Sequence, residues 1–462
     1  MVFFQKSNIS KHVTNNREKI SINVPENYEN DQSSKIILPV VRFRSFSHTP
    51  KEPIFWLNGG PGMSNIKYRP PKNLLANHDV VLVGYRGVDG SVVLDSPKFK
   101  RAIRNIDGDA LSVTSRERIS AAVKDLVRGL RDKNVDPSCY TMNEVVQDIE
   151  RARTFFGYEK INLLSASYGT RVAQVYTELF PNRLLHSVMI GVNPPGHFIW
   201  NPHKIDEQIR IYSELIRVDP AWICEASPEE VMRSALEKMP KKWRFLRMNR
   251  AKIRMVTFVL LFSKQTAIPI FEAYRAAYQG DYSGLYALQV AYDLMFPSMF
   301  KWGDFYAKGG VDFDDKVNYD EQFHDDSTIL GSPLSSLFWI TGEEWPIRKG
   351  NRPGKSTVKS NAPTLLVSGN LDLSTPAEFA RDELLPYLTN GNQIILKEMG
   401  HVDDLMGRQS PATNHMITTF FDDGLVDDSY FVYDPIRYKP VFRFQTMAKI
   451  FYPLLLLLRL FF

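Results

Sequence analysis

Cysteine is scarce: Cys139 and Cys224 are the two thiols in a chain of 462 residues. They lie far apart and in no metal-binding or redox spacing, which argues against a disulfide framework. Free thiols, buried, in a reducing cytoplasmic compartment are the expectation. The amino end, Met1 to Asn16, has scattered charge and no apolar core, so no signal peptide is expected. An excess of one charge is lacking too. A net charge of +5 over 53.1 kDa is mild, and with no compact basic arm and no zinc-finger spacing it gives no reason to expect nucleic acid. There is no H-E-x-x-H, no G-x-x-x-x-G-K-[ST] and no strand-linked G-x-G-x-x-G, so neither a metal nor a cofactor is implied. Internal repeats are not evident. The apolar carboxyl end, Phe451–Phe462, is too short for an ordinary bilayer span and is interrupted by Pro453 and Arg459. It reads either as a terminal helix docked on the body or as an interfacial anchor making peripheral contact with a membrane. The basic stretch Lys241–Arg254, with Trp243, Phe245, Leu246 and Ile253 among its cations, reads first as a solvated helix face and second as a lipid contact.

What is present is ordinary globular composition, 44% hydrophobic and 24% charged, in a chain long enough for one large domain with an insertion or for several smaller ones. Its centre is Ile161–Ala173, I-N-L-L-S-A-S-Y-G-T-R-V-A. A short apolar strand runs through Ser165-Ala166-Ser167-Tyr168-Gly169 into an apolar-periodic helix closed by Pro181. Strand, tight turn with a central serine, then helix is the order a nucleophile elbow requires. Small residues must flank the serine two places either side, and Ser165 and Gly169 do so.

Four other segments fall in order around the elbow. The strand Ile54–Leu57 ends in Asn58-Gly59-Gly60-Pro61-Gly62, a rigid loop able to aim a bare N–H at a developing oxyanion. The run Asp79–Gly84 has the continuous apolarity of a strand buried on both faces and leads into Tyr85-Arg86-Gly87-Val88-Asp89-Gly90-Ser91. Helices are predicted over Val113–Lys133 and Met142–Phe156, the second opened by a Thr141/Glu144 capping box. Strands and helices alternate from residue 54 to the strand Leu185–Val192, which argues for a parallel α/β sheet. From about His197 to Asn361 the chain is helix-like and aromatic-rich, an inserted cap. The alternation then resumes. Pro363–Gly369 is a strand followed by Asp372, Ala377–Leu388 is a helix, and Gln393–Lys397 is a strand followed by His401. One βαβ unit separates Asp372 from His401, so their loops lie side by side, and the order Ser…Asp…His is that of the α/β hydrolases.

Together these motifs resemble the proline-iminopeptidase branch of the α/β hydrolases, serine aminopeptidases that include tripeptidyl-aminopeptidase-like enzymes. The matches are Gly59-Gly60-Pro61-Gly62 to H-G-G-P-G, Tyr85 through Ser91 to D-Q-R-G-x-G-x-S, Ser167 through Arg171 to S-Y-G-x-R, and the loops Gly369–Pro376 and Gly400-His401. Asn58 replaces the family His, Ser165 a Gly and Tyr85 a Gln. The match runs from about residue 36 to residue 425 and implies a mostly parallel central sheet flanked by helices; with the residue pattern it divides the chain into a core of residues 1–196 and 362–445, a helical cap over 197–361 and an apolar tail over 446–462. It also implies a Ser167–His401–Asp372 triad, an oxyanion hole from the N–H groups of Gly60 and Tyr168, and acidic cap residues such as Glu343 and Glu344 to hold a substrate ammonium. The partner would be a peptide with a free amino terminus, releasing proline or another apolar first residue. Trp56 through Gly62 is also similar to the oxyanion loop of serine carboxypeptidases, but Ala166 stands where those enzymes carry a Glu. An esterase or other non-peptide hydrolase stays open as well, because a triad does not choose between ester and amide.

Overall fold

The apolar runs become one nine-stranded sheet in the computed structural model of the protein, which describes residues 12–14, 16–314, 316–323, 325–340, 344–346 and 353–458. In chain order the strands are β1 (His12–Thr14), β2 (Arg17–Pro25), β3 (Lys35–Phe43), β4 (Lys51–Leu57), β5 (His78–Val83), β6 (Ile161–Ala166), β7 (Leu184–Ile190), a separate two-stranded hairpin β8 (Lys242–Trp243) and β9 (Leu246–Arg247), β10 (Thr364–Gly369) and β11 (Gly391–Leu396). The sheet order is β1-β2-β3-β5-β4-β6-β7-β10-β11. Pairings from β5 through β11 are parallel, while β1 to β3 add an antiparallel edge. The mostly parallel sheet expected from the alternation of elements is therefore present.

Strand β6 is buried at every position, as is β10. Continuous burial follows from helices covering both faces, so that successive side chains enter two separate cores. Phe55, Leu57, Val81 and Leu163 belong to one core; Ile54, Trp56, Val80 and Leu164 belong to the other. Helices Val113–Arg131 and Met142–Phe156 form where the periodicity places them. In the second, Glu144 accepts the Thr141 N–H at 3.2 Å, as the capping box requires.

Between β7 and β10 the chain is helical, from Pro202–Arg217 to Pro333–Ile340. The basic stretch departs from expectation. It is not one helix face: Lys241–Arg247 forms the β8–β9 hairpin and a helix begins only at Arg250, capped by the Asn249 side chain accepting from Lys252 N. The predicted helix Ala377–Leu388 also fragments, into Ala377–Phe379, a wide turn over Ala380–Leu384 and a tight one over Leu385–Tyr387. Pro386 has no N–H to continue an α-helical ladder there. Cys139 is buried and Cys224 only partly so, and both are free thiols.

Of the tail, helices Phe444–Ile450 and Tyr452–Leu458 fall within the described residues. The first lies on the body: Gln445 Nε2 donates to Glu272 at 3.0 Å and Ala448 is buried. Among the described residues no helix is long and apolar enough to cross a membrane.

Candidate active site

Strand order decides which loops can meet. Strands β4 and β6 are neighbours, with Leu57 paired to Ser165, so the Asn58–Gly62 loop rises beside Ser167. Strands β7, β10 and β11 follow on the other side, and the loops after β10 and β11 carry Asp372 and His401. All of these are carboxyl ends of parallel strands, where open α/β sheets place their ligands.

Ser167 has φ +49° and ψ −121°, a conformation costly for any residue with a Cβ. It is held by its own N–H donating to Ile190 C=O at 2.8 Å and by the tight contact of the following helix with β4. A Cβ at Gly169 would lie 2.1 Å from the Leu57 carbonyl oxygen, so only glycine lets the helix Tyr168–Leu179 approach that closely. Ser165, the other small flank, is fully buried and donates to Val188 C=O at 3.1 Å.

The hydroxyl of Ser167 lies 2.9 Å from His401 Nε2, and His401 Nδ1 lies 2.7 Å from Asp372 Oδ2. Asp372 is fully buried and also accepts from Ser374 N, Thr375 N and Thr375 Oγ1 at 2.8–2.9 Å. These donors fix the carboxyl group with Oδ2 aimed at the ring, and a hydrogen bond to it from Nδ1–H leaves Nε2 to accept the serine proton. The imidazole is held from the cap as well. His401 N donates to Phe262 C=O at 2.6 Å, and the Phe262 ring stands edge-on with centroids 5.4 Å apart.

Gly60 takes φ +71°, turning the loop so that Met63 N donates back to Gly60 C=O at 3.0 Å. Its own N–H, and that of Tyr168 at the first position of the elbow helix, meet no acceptor among the described residues. Asn58 uses its side chain to close the loop, donating to Ser64 C=O at 3.0 Å. Buried Asn65 bridges to Trp56 C=O and Val83 C=O at 3.0 and 2.8 Å. Burial holds the Tyr85 phenol far above its ordinary pKa, so it stays protonated and donates to Asn58 C=O at 3.1 Å.

Sequence reasoning did not find the clamp that the cap applies to this loop. Gly62 N donates to Asp304 Oδ2 at 2.9 Å, and Gly62 C=O accepts from Lys301 N at 2.9 Å. Asp304 is paired with Lys308 one turn on, both side chains fully buried, and Lys308 Nζ reaches Arg86 C=O at 3.1 Å. Burial pushes the Asp304 carboxyl up and the Lys308 ammonium down from their usual values, each offset in part by the other. The signal was an acid and a base at i,i+4 inside the aromatic run Trp302–Gly309. Thr375, three residues after Asp372, was likewise legible only as a turn residue. The Arg86 of the second glycine-rich loop serves the scaffold, making 2.7 Å bonds to both oxygens of buried Asp148.

The proposed ammonium-binding acids fare differently. Glu343 lies outside the described residues. Glu344 is joined to the helix Val113–Arg131, accepting from Ser120 Oγ at 2.7 Å and from Lys124 Nζ at 2.9 Å, rather than to the triad loops.

A hydroxyl on a strained turn, an imidazole between it and a buried carboxylate, and two free N–H groups nearby are the parts needed to add a nucleophile to a carbonyl and to hold the resulting oxyanion. Comparison with known proteins finds likenesses along most of the chain. A model of the α/β hydrolase fold matches residues 52–214 and a model of the TAP-like proteins matches residues 333–430. The tripeptidyl aminopeptidase of Streptomyces lividans is 22% identical over 446 residues, covering 88% of this chain and 81% of that protein. The tripeptidyl aminopeptidase of Streptomyces coelicolor matches to the same extent, 22% over 446 residues. Among solved structures, an α/β hydrolase from a Medee basin deep-sea metagenome library aligns at 12% identity and a TM-score of 0.41, over 85% of this chain and 97% of that one. One matched segment carries the elbow and the glycine-rich loops, the other the acid and the base, and on that footing the chain has the α/β hydrolase fold and is similar to peptidase-like members of it.

Proposed function

We propose that the protein is a serine aminopeptidase that releases amino-terminal residues from short peptides through an acyl-enzyme. Ser167 attacks the scissile carbonyl, His401 takes its proton and returns it to the leaving amine, and Asp372 holds the imidazole tautomer. The N–H groups of Gly60 and Tyr168 receive the oxyanion. The observation that carries this reading is the continuous hydroxyl–imidazole–carboxylate relay, 2.9 and 2.7 Å, ending at a serine of positive φ. Peptide rather than ester as substrate is supported by the kinship to tripeptidyl aminopeptidases along most of both chains.

Two measurements test the proposal. Ser167→Ala abolishes labelling by a fluorophosphonate and lowers turnover by roughly 10⁶; labelling that persists sends the nucleophile to another residue. Aminoacyl and tripeptidyl amides with free amines are then compared with their N-acetyl counterparts. Free-amine substrates are cleaved faster, and equal cleavage of acetylated amides or simple esters overturns the aminopeptidase half while leaving the serine hydrolase.

A further inference from the structure

One face of the helical insertion combines bare apolar side chains with cations that have no acid to meet. In the β8–β9 hairpin Lys242 pairs with Arg247 and Trp243 with Leu246. Trp243 and Leu246 are buried, so alternation turns Lys242 and Arg247 outward. The turn between the strands is Arg244-Phe245, and Phe245 is 71% exposed. Lys241, Lys242, Arg244 and Arg247 are all exposed, and among the described residues none of them is paired with a carboxylate. The guanidinium of Arg244 instead covers the ring of Tyr452, 4.4 Å from its centroid, and Trp243 meets the same ring edge-on at 5.4 Å. The hairpin tip and the tail thus form one surface.

The tail shows its two sides clearly. Tyr452 and Leu456, four residues apart, pack on the core. Met447, Ile450, Phe451 and Leu454 are 45, 66, 50 and 51% exposed, and they recur three and four residues apart. Toward the body the tail's cations are neutralised, Lys449 by Asp281 at 2.6 Å and Arg443 by Glu272 at 3.5 Å. Outward, the apolar side chains of the tail are bare, and Arg244 over Tyr452 joins the hairpin that carries the unpaired cations to the same tail. Leaving several large apolar groups bare is unfavourable in water, and the uncompensated positive charge of the hairpin selects what can cover them. A second copy of the chain would set the same cations against one another. An anionic, partly apolar interface satisfies both.

We propose that this face docks on the surface of an anionic lipid bilayer. Phe245, Ile450, Phe451 and Leu454 enter the headgroup layer, and Lys241, Lys242, Arg244 and Arg247 meet lipid phosphates. The contact is interfacial, since no described helix is long enough to span. The full chain is mixed with phosphatidylcholine vesicles made with and without phosphatidylglycerol, and the bound fraction is read by flotation. Binding appears with the anionic lipid and is lost as salt rises from about 0.1 M to about 1 M, where the screening length falls from about 10 to about 3 Å. Each cation near an anionic leaflet contributes roughly a factor of five, so Lys242→Gln with Arg247→Gln lowers the partition coefficient about 25-fold. Phe245→Ser with Ile450→Ser lowers binding to the anionic vesicles at about 0.1 M salt, where the cations alone would still attract the surface. Both variants keep fluorophosphonate labelling, which establishes that they are folded. Equal binding to neutral vesicles, no binding to anionic ones, or double variants that bind like the parent each overturn the proposal. So does a dimer in sedimentation equilibrium that the Phe245/Ile450 variant dissolves while anionic vesicles capture nothing.

Discussion

Asp304→Asn separates the electrostatic role of the cap clamp from its shape. Asparagine keeps an oxygen to accept the Gly62 N–H that Asp304 now accepts at 2.9 Å. What disappears is the charge facing Lys308, whose side chain is as fully buried as that of Asp304. Removing one partner of a buried ion pair costs about 3–5 kcal/mol, because the other charge is left uncompensated. A lysine has an escape, however: it can give up its proton. At pH 7 that costs about 1.36 kcal/mol for each unit between the pH and the unfolded value near 10.4, or about 4.6 kcal/mol, which caps the penalty. Burial already depresses the Lys308 pKa, and losing Asp304 depresses it further. With the folded value below the unfolded one, the unfolded chain binds the extra proton, so stability of the variant rises with pH until it passes about 10.4. The destabilisation relative to the parent should therefore shrink by about 1.4 kcal/mol per unit of pH between the folded Lys308 pKa of the variant and the higher one of the parent. Urea unfolding of the parent, Asp304→Asn and Asp304→Asn/Lys308→Met at pH 7 and pH 9 reads this as shifts in midpoint at constant slope. The double variant, with neither charge, should recover most of the loss. A penalty identical at both pH values, or a double variant no more stable than the single one, would refute the reasoning. Turnover should change far less than stability, since the Gly62 contact survives.

Asp148→Asn gives the contrasting case: it strands the buried guanidinium of Arg86, which holds its proton across this range, so a loss of about 3–5 kcal/mol should be the same at pH 7 and pH 9 in the same unfolding assay. Gly169→Ala places a methyl 2.1 Å from Leu57 C=O and pushes the elbow helix off β4, carrying the Tyr168 N–H away from the serine. The rate of fluorophosphonate labelling should fall by roughly 10²–10³ with the circular dichroism spectrum retained, and labelling at the parental rate would show that the close contact does not position the site.

The core elements were legible because each rests on a local rule. Met142–Phe156 has a capping box and an apolar stripe, and the helix forms over those residues. Ile161–Ala166 is continuously apolar, and it lies inside the sheet with both faces covered. Ser167 could be singled out because an elbow demands small neighbours on either side, and Asp372 and His401 because each closes a strand of one βαβ unit. The fragmented turn at Ala380–Leu384 and the β8–β9 hairpin were not legible: Lys241–Arg254 has the composition of an amphipathic helix, but Trp243 and Leu246 bury together only if the chain folds back on itself.

Sequence by itself determined the sheet, the order of the reactive residues and the small residues that the elbow requires, since periodicity and steric need are written in neighbouring positions. Only the tertiary structure decided that Thr375 steadies Asp372, that Phe262 carries the imidazole from above, and that Asp304 with Lys308 grips the glycine-rich loop. Those contacts join residues up to 242 positions apart, and their worth comes from shared burial, which no stretch of sequence records until the insertion has closed over the sheet.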